Sequence, residues 1–293
     1  MTKSEIKLVR SLHQKKFRDE LGLFIAEGDK CINELRKYFE LVLLADSTNA
    51  TPTEIEQMSM LRAPQGSIAV FKKDRCADGI RTADADGIRT VHTPYSISEQ
   101  SGRSILLCLD GIQDPGNLGT IIRTADWFGV HDIVCSLDTV DCYNPKVVQA
   151  TMGALTRVRV HYTDLAEWLR HSASGHSDKK APIPIYGTLL DGKNMYSNVN
   201  ANDNANVNAN ANDNVNVNAN DNANDNANAN VNVNYNSSII IMGNEGNGIS
   251  KEVRELVTHP IRIPSYPPDA ETSESLNVAI ATAIVLAEFR RPK

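Results

Sequence analysis

The chain predicts an α/β fold: a carboxy-terminal parallel-sheet domain preceded by a smaller α/β domain. Three observations carry this. Short β-rich apolar runs such as "SILLCLD", "HDIVCS" and "SIIIMG" alternate with helical stripes, which is the pattern of strands covered by crossover helices. A duplicated stretch, "ADGIRTAD" then "ADGIRT" at 77–90, interrupts this order where a linker is expected. At 293 residues with 41% apolar content, the chain is long enough for two cores. The expected division is therefore 1–95 and 96–293.

In the first part, "KLVRSLHQKKFRDELGLFIAEGDK" mixes helical and strand-like periods. Ile32, Leu35 and Phe39 are placed on one helical face, "LVLLAD" as a buried strand, and "GSIAVFKK" as a closing strand. In the second part, "SILLCLDGI" reads as a strand and "NLGTIIRTADWFG" as a helix, with Leu118, Ile121, Ile122, Ala125 and Phe128 on its stripe. Gly129 stands where its carboxyl end would be capped. "NPKVVQATMGAL" gives a helix opened by Asn-Pro, followed by strand "RVRVHY" and helix "DLAEWLRH". Strands "IPIYGTLL" and "SIIIMG", helix "SKEVRELV", strand "PIRIP" and a last helix in "SLNVAIATAIVLAEFRR" complete the order. Between the two middle strands, residues 198–236 carry Asn at every even position. Asn disfavours strands and fills no core, so this is read as a disordered insertion looped out of a surface connection.

Charge and cysteine narrow the function. The net charge is −6, yet the Asn-rich segment holds four aspartates and no base, so without it the charge is −2. Residues 3–18 carry Lys3, Lys7, Arg10, Lys15, Lys16 and Arg18 against Glu5 alone, a local patch for a polyanion or a solvated helix face. The five cysteines form no CxxC pair, which argues against a disulfide framework and a zinc site; they are read as small buried hydrophobes. No segment is long and apolar enough for a membrane span and no secretory signal is visible, so a cytoplasmic protein without a membrane partner is expected.

Three loops after strand ends share an unusual composition: "DGIQDPGNLGTIIR" (110–123), "GNEGNG" (243–248) and "IPSYPPDAETSESLN" (263–277). Gly116, Gly119, Gly243, Gly246 and Gly248 would let a backbone approach a ligand and offer unencumbered amides. The glycine order is neither GxGxxG nor a P-loop, and Glu245 among the glycines would repel a pyrophosphate, which disfavours a nucleotide-dependent oxidoreductase. A carboxylate suits a hydroxyl, an amine or a cation. Individually the residues have plainer readings: Glu245 as a helix cap, Asn117 and Ser275 as N-caps, Arg123 as a solvated helix flank. Asn277, one turn into an apolar helix, has no such ready explanation.

Taken in order, "DPGNLGTIIRTADWFG", "IMGNEGNGIS" and "SLNVAIATAI" resemble the three motifs of the SpoU (TrmH) family of RNA ribose 2′-O-methyltransferases in the SPOUT superfamily, over about residues 104–291. Residues 5–73 resemble the ribosomal-protein-like RNA-binding domain that often precedes it. The resemblance implies a deep trefoil knot, S-adenosylmethionine as cofactor, no metal, a homodimer with composite active sites, and structured RNA, rRNA or tRNA, as substrate. It assigns catalysis to Asn117, Arg123, Glu245, Ser275 and Asn277. It places the cofactor against Met242, Gly243, Ile263, Leu276 and Asn277. Arg123 would either remove the proton of the ribose 2′-hydroxyl or stabilise the emerging alkoxide; a guanidinium normally stays protonated, which favours the second. A catalytically silent RNA-binding scaffold is the alternative. The stretch "SYPPDAETSE" before Ser275 is longer than the family pattern. Removing residues 1–95 is expected to weaken RNA binding far more than cofactor binding.

Overall fold

The computed structural model describes residues 1–61, 63–73, 82–83, 89–90, 104–173, 183–196, 237–267 and 275–291. The Asn-rich insertion, the rest of the duplication and most of "PPDAETSE" lie outside the described residues.

The amino-terminal unit begins with α1 (Lys3–Ser11), whose start is written in "TKSE": Thr2 Oγ1 accepts from the Glu5 amide while Glu5 accepts from the Thr2 amide. α2 (Lys15–Leu21) stops at Gly22, which takes a left-handed φ of 63°. Then come β1 (Leu23–Glu27), α3 (Asp29–Leu35), β2 (Leu41–Ala45), α4 (Pro52–Met58) and β3 (Ile68–Lys72). The strands form an antiparallel sheet in the order β1-β3-β2. Its two faces separate by the period of two: Phe24, Ala26, Ala69 and Phe71 face one cluster, while Ile25, Ile68 and Val70 join Val9, Leu12, Ile55 and Met58 in another.

Two expectations change here. Phe39 is not on the helix with Ile32 and Leu35; α3 ends at Leu35, and the following turn folds Phe39 back so that its ring meets Phe24 at 5.1 Å. "LVLLAD" is not a fully buried strand, because β2 pairs with β3 alone and leaves Val42 exposed. The two copies of the duplication contribute β4 (Thr82–Ala83) and β5 (Arg89–Thr90), paired antiparallel with Thr82 opposite Thr90.

The larger unit runs β6 (Ser104–Asp110), α5 (Pro115–Trp127), β7 (Asp132–Ser136), α6 (Pro145–Thr151), a single 3-10 turn (Ala154–Thr156), β8 (Arg159–Thr163), α7 (Leu165–Ala173), β9 (Ile185–Asn194), β10 (Ser237–Gly243), α8 (Lys251–Arg254), β11 (His259–Arg262) and α9 (Val278–Arg290). Its strands form a six-stranded, all-parallel sheet in the order β11-β9-β10-β6-β7-β8. Helices bury both faces: α5, α6 and α9 on one, α7 and α8 on the other. The chain runs outward from β6 through β7 and β8, then crosses to the other side, so β6 and β10 flank the switch point. A crevice beyond the carboxyl ends of such strands is where ligands bind in open parallel sheets.

α8 is shorter than "SKEVRELV" suggests: the Leu256 and Val257 amides reach back three residues to Val253 and Arg254, tightening the chain into β11. The last helix also starts later than Ser275. Asn277 is its N-cap and accepts from the Ala279 and Ile280 amides, which removes the puzzle of an asparagine inside an apolar helix. Arg290, at the far end of α9, donates to the Phe128 and Gly129 carbonyls at the far end of α5. With Asn277 beside Asn117 at their starts, the two helices lie side by side and parallel.

The two units share one hydrophobic cluster rather than meeting through a polar gap. Phe24 and Tyr143 lie 4.7 Å apart, and Cys31 packs against the Val148 carbonyl. Arg18 crosses this seam almost fully buried. Its Nε and Nη2 donate to Asp141 at 3.0 and 2.7 Å, and its Nη1 donates to the Leu12 and His13 carbonyls at 2.9 Å each. Arg18 thus leaves the basic patch in which the sequence places it.

Candidate active site

The crevice is assembled from the ends of β6 and β10, whose last residues Asp110 and Gly243 are register partners. After β6 the chain turns through Gly111 into α5. Asp114, not Asn117, caps that helix: Asp114 Oδ1 accepts the Asn117 amide at 2.8 Å, and Pro115 occupies the first helical position. Asn117, one turn into α5, therefore has its carboxamide free for other partners.

Those partners come from the two other loops. Asn277 Nδ2 donates to Asn117 Oδ1 at 2.9 Å, and Asn117 Nδ2 donates to Glu245 Oε1 at 2.5 Å. Residues 128 and 160 positions apart in the chain thus form one directed relay. Its direction is set at one end by backbone. Because the helix start of α9 occupies Asn277 Oδ1, only Nδ2 can face Asn117, and Asn117 must then turn its own Nδ2 to the carboxylate. A charge-assisted bond of this kind holds Glu245 as an acceptor, and its second oxygen has no partner among the described residues. Glu245 caps no helix; Ser250 precedes α8.

The glycine-rich loop is bare for a reason partly different from the one expected. A Cβ at Gly243 would sit 2.3 Å from the Gly248 carbonyl carbon, because Asn244 and Gly248 exchange backbone hydrogen bonds and the loop folds back on itself. Gly119 likewise faces no ligand: a Cβ there would meet Ala150 of α6 at 2.4 Å, so it sets helix contact. Gly248 has no described residue within 4 Å of its Cβ position, which leaves space there among the described residues. Half-buried Ile263 and exposed Leu276 supply apolar surface at the mouth, and Met242 is buried at the end of β10.

Two residues from the sequence prediction are not drawn into the relay. Arg123 lies less than two turns along α5 from Asn117, about 9 Å further along the axis; it is exposed and bonds to no described residue. Ser275 is exposed, two residues before the Asn277 cap, and is likewise unbonded among the described residues. Three organising residues were missed: Asp110, Asn244 and Ser136. Asp110 Oδ2 accepts the Ser250 amide at 2.7 Å, and Ser136 Oγ accepts the Gly111 amide at 2.8 Å. The asparagine directly after Gly243 was the available signal, since Asn favours turns that its own side chain closes.

Cys31, Cys108, Cys135 and Cys142 are free and buried. Burial pushes the Cys31 thiol up to about 11 and the other three higher still, so all four remain neutral thiols rather than nucleophiles. No cluster of three or more metal-ligating side chains occurs, and no helix is long and apolar enough to cross a membrane, both among the described residues.

Together these features define a parallel α/β protein in which three chain-distant loops meet at the sheet's switch point. Residues 104–287 match the SpoU rRNA Methylase family and residues 3–71 the MRM3-like substrate binding domain. The chain belongs to the SpoU rRNA methylase family. It is 26% identical over 293 residues to the 23S rRNA (guanosine(2553)-2′-O)-methyltransferase RlmP of Bacillus subtilis, covering 98% of this chain and 96% of that protein. A solved TrmH-family structure from Porphyromonas gingivalis is 29% identical, with a TM-score of 0.67, covering 99% of this chain and 98% of that one. An rRNA methyltransferase from Sinorhizobium meliloti, solved with bound AdoMet, shares the fold at 24% identity and a TM-score of 0.67, covering 99% and 95% of the two chains.

Proposed function

We propose that the protein transfers a methyl group from S-adenosylmethionine to the 2′-hydroxyl of one ribose in structured ribosomal RNA, acting in the cytoplasm as a homodimer. The observation that carries this reading is the relay Asn277–Asn117–Glu245, because it gathers residues of all three motifs at the switch point. The residues present fit the cofactor. The space at Gly248, apolar Leu276 and Ile263, and a carboxylate with one oxygen unpartnered among the described residues suit an adenosyl group bearing hydroxyls and a cationic end. The backbone at Met242, Gly243, Ile263 and Leu276, with Asn277, would hold it. When bound, it supplies an electrophilic methyl group on a sulfonium sulfur.

A ribose hydroxyl is neutral and must lose its proton as it is methylated. In this reading Arg123 stabilises the developing oxygen charge, with a guanidinium that is exposed and has no carboxylate partner among the described residues. Glu245, fixed by Asn117, accepts from a hydroxyl; Ser275 adds a donor at the mouth. The knot and the dimer belong to this reading. Exposed Leu276 and Ile280 around the start of α9, and exposed Trp127 about 15 Å away at the far end of α5, are apolar side chains that a second copy would cover.

RNA would be gripped in part by α1. Lys3, Lys7 and Arg10 follow the i, i+4, i+7 spacing of one helix face, are exposed, and pair with no described residue. Deleting residues 1–95 is a poor test, because it would strip Phe24 from Tyr143 and Arg18 from buried Asp141. The deciding experiment maps 2′-O-methyl groups in total RNA from cells with and without the protein, beside titration of the purified protein with S-adenosylhomocysteine and NAD. One rRNA ribose should lose its methyl group, and S-adenosylhomocysteine should bind in preference to NAD. An unchanged map, or preference for NAD, would remove the reading.

A further inference from the structure

We infer that Asn244 is a positioning residue for the reaction: its carboxamide sets the place of Glu245, and through it the whole relay. The inference rests on the methyltransferase reading for its chemistry, but its geometry stands by itself. Asn244 Oδ1 accepts the amides of Gly246 and Asn247 at 2.9 and 3.0 Å, closing a turn that contains Glu245. Its Nδ2 donates to the Gly111 carbonyl at 2.7 Å, tying that turn to the end of β6. Its backbone exchanges two bonds of 2.9 Å with Gly248.

The anchor is itself held. The Gly111 amide donates to Ser136 Oγ, and Ser136 donates to Asp138 Oδ1 at 2.6 Å. Gly111 has φ of 71°, and a Cβ there would approach Asp138 Oδ2 to 3.2 Å and Asn244 Cβ to 3.7 Å, so the position is closed to side chains. At the other foot of the loop, Asp110 Oδ2 holds the Ser250 amide. One strand end, Asp110–Gly111, thereby grips both the entry and the exit of the loop bearing the carboxylate. Only a group with a donor and two-fold acceptor capacity does what Asn244 does: Asp keeps the turn but loses the bond to Gly111, and Ala loses both.

The test compares wild type, N244A, N244D, E245Q and the double variant N244A/E245Q, all full-length. Three readouts are kcat/KM for methyl transfer to rRNA, affinity for S-adenosylhomocysteine, and hydrogen exchange of the Gly246 and Asn247 amides without ligand. N244A should lower kcat/KM ~10- to 100-fold, the range for a misplacement of about 1 Å, and should speed exchange of both amides. N244D should restore slow exchange but not the rate. If Asn244 acts through Glu245, the double variant will be no slower than E245Q. Additive losses, or exchange in N244A equal to wild type, would overturn the inference. Should wild type leave rRNA unmethylated, the methyltransferase reading fails and the exchange comparison alone decides the role of Asn244; it decides likewise if E245Q abolishes turnover.

Discussion

Arg18 and Arg123 occupy opposite situations in the same molecule. Arg18 is 2% exposed and spends its guanidinium on Asp141 and two carbonyls across the seam between the units. Arg123 projects from α5 with no partner among the described residues, less than two turns from the relay. Arg18 sits on the short polar α2 and Arg123 on the longer, more apolar α5, yet neither helix's composition says which guanidinium finds partners. What separates them is whether the fold completes their hydrogen bonding. A buried cation must be satisfied internally or the protein does not fold, whereas an exposed one can be left for a ligand.

The sharpest way to break this contrast is to remove Arg18. R18A strands Asp141 without its partner at a buried seam, and loss of one member of a buried pair costs ~3–5 kcal/mol. Chemical denaturation should show that loss; an unchanged midpoint would mean that the seam carries no such load. Next comes R123A, expected to lower kcat/KM ~10²- to 10³-fold, the range for deleting one group that stabilises a developing oxyanion. Its melting temperature should match wild type. A large fall in stability with little change in rate would reverse the roles given to the two arginines.

A smaller effect should come from changing Lys3, Lys7 and Arg10 together to Gln. Binding of an rRNA fragment should weaken, and the dependence of log affinity on log salt should flatten by about 2–3, while S-adenosylhomocysteine affinity stays constant. If the salt dependence is unaltered, RNA lies elsewhere. The smallest effect concerns His13, whose Nε2–H donates to the Met58 carbonyl oxygen at 2.9 Å. Burial lowers its pKa below the usual histidine value despite this contact. The unfolded chain then takes up the proton first, so stability is full above about pH 6.5 and declines as pH falls below it. H13Q should flatten that part of the stability curve, measured by urea unfolding between pH 7.5 and 5.5.

Much of the molecule was legible in advance, and particular residues show why. The strands "HDIVCS" and "SIIIMG" and the helix ending before Gly129 were readable because apolar period, β-branched content and a left-handed cap are local properties. The motif loops were recognisable by composition, and three of the five polar residues they supplied do meet. Local signals failed where a neighbour decided the outcome. β2 looked like a core strand and lies at a sheet edge. Gly119 and Gly243 looked like ligand glycines and are required by Ala150 and by the returning loop. Asn117 looked like a cap because Asn commonly is one, but Asp114 three residues earlier takes that place.

The sequence alone determined the alternation of strands and helices, the position of the three loops and the chemistry of their side chains, since these depend on residues within a few positions of one another. Only the tertiary structure decided that Asn277 fixes Asn117, that Asn117 fixes Glu245, and that Arg18 is spent while Arg123 is not. Those outcomes depend on which groups become neighbours after more than a hundred residues have folded between them. A hydrogen bond needs its partner within about 3 Å, and no local pattern specifies that distance.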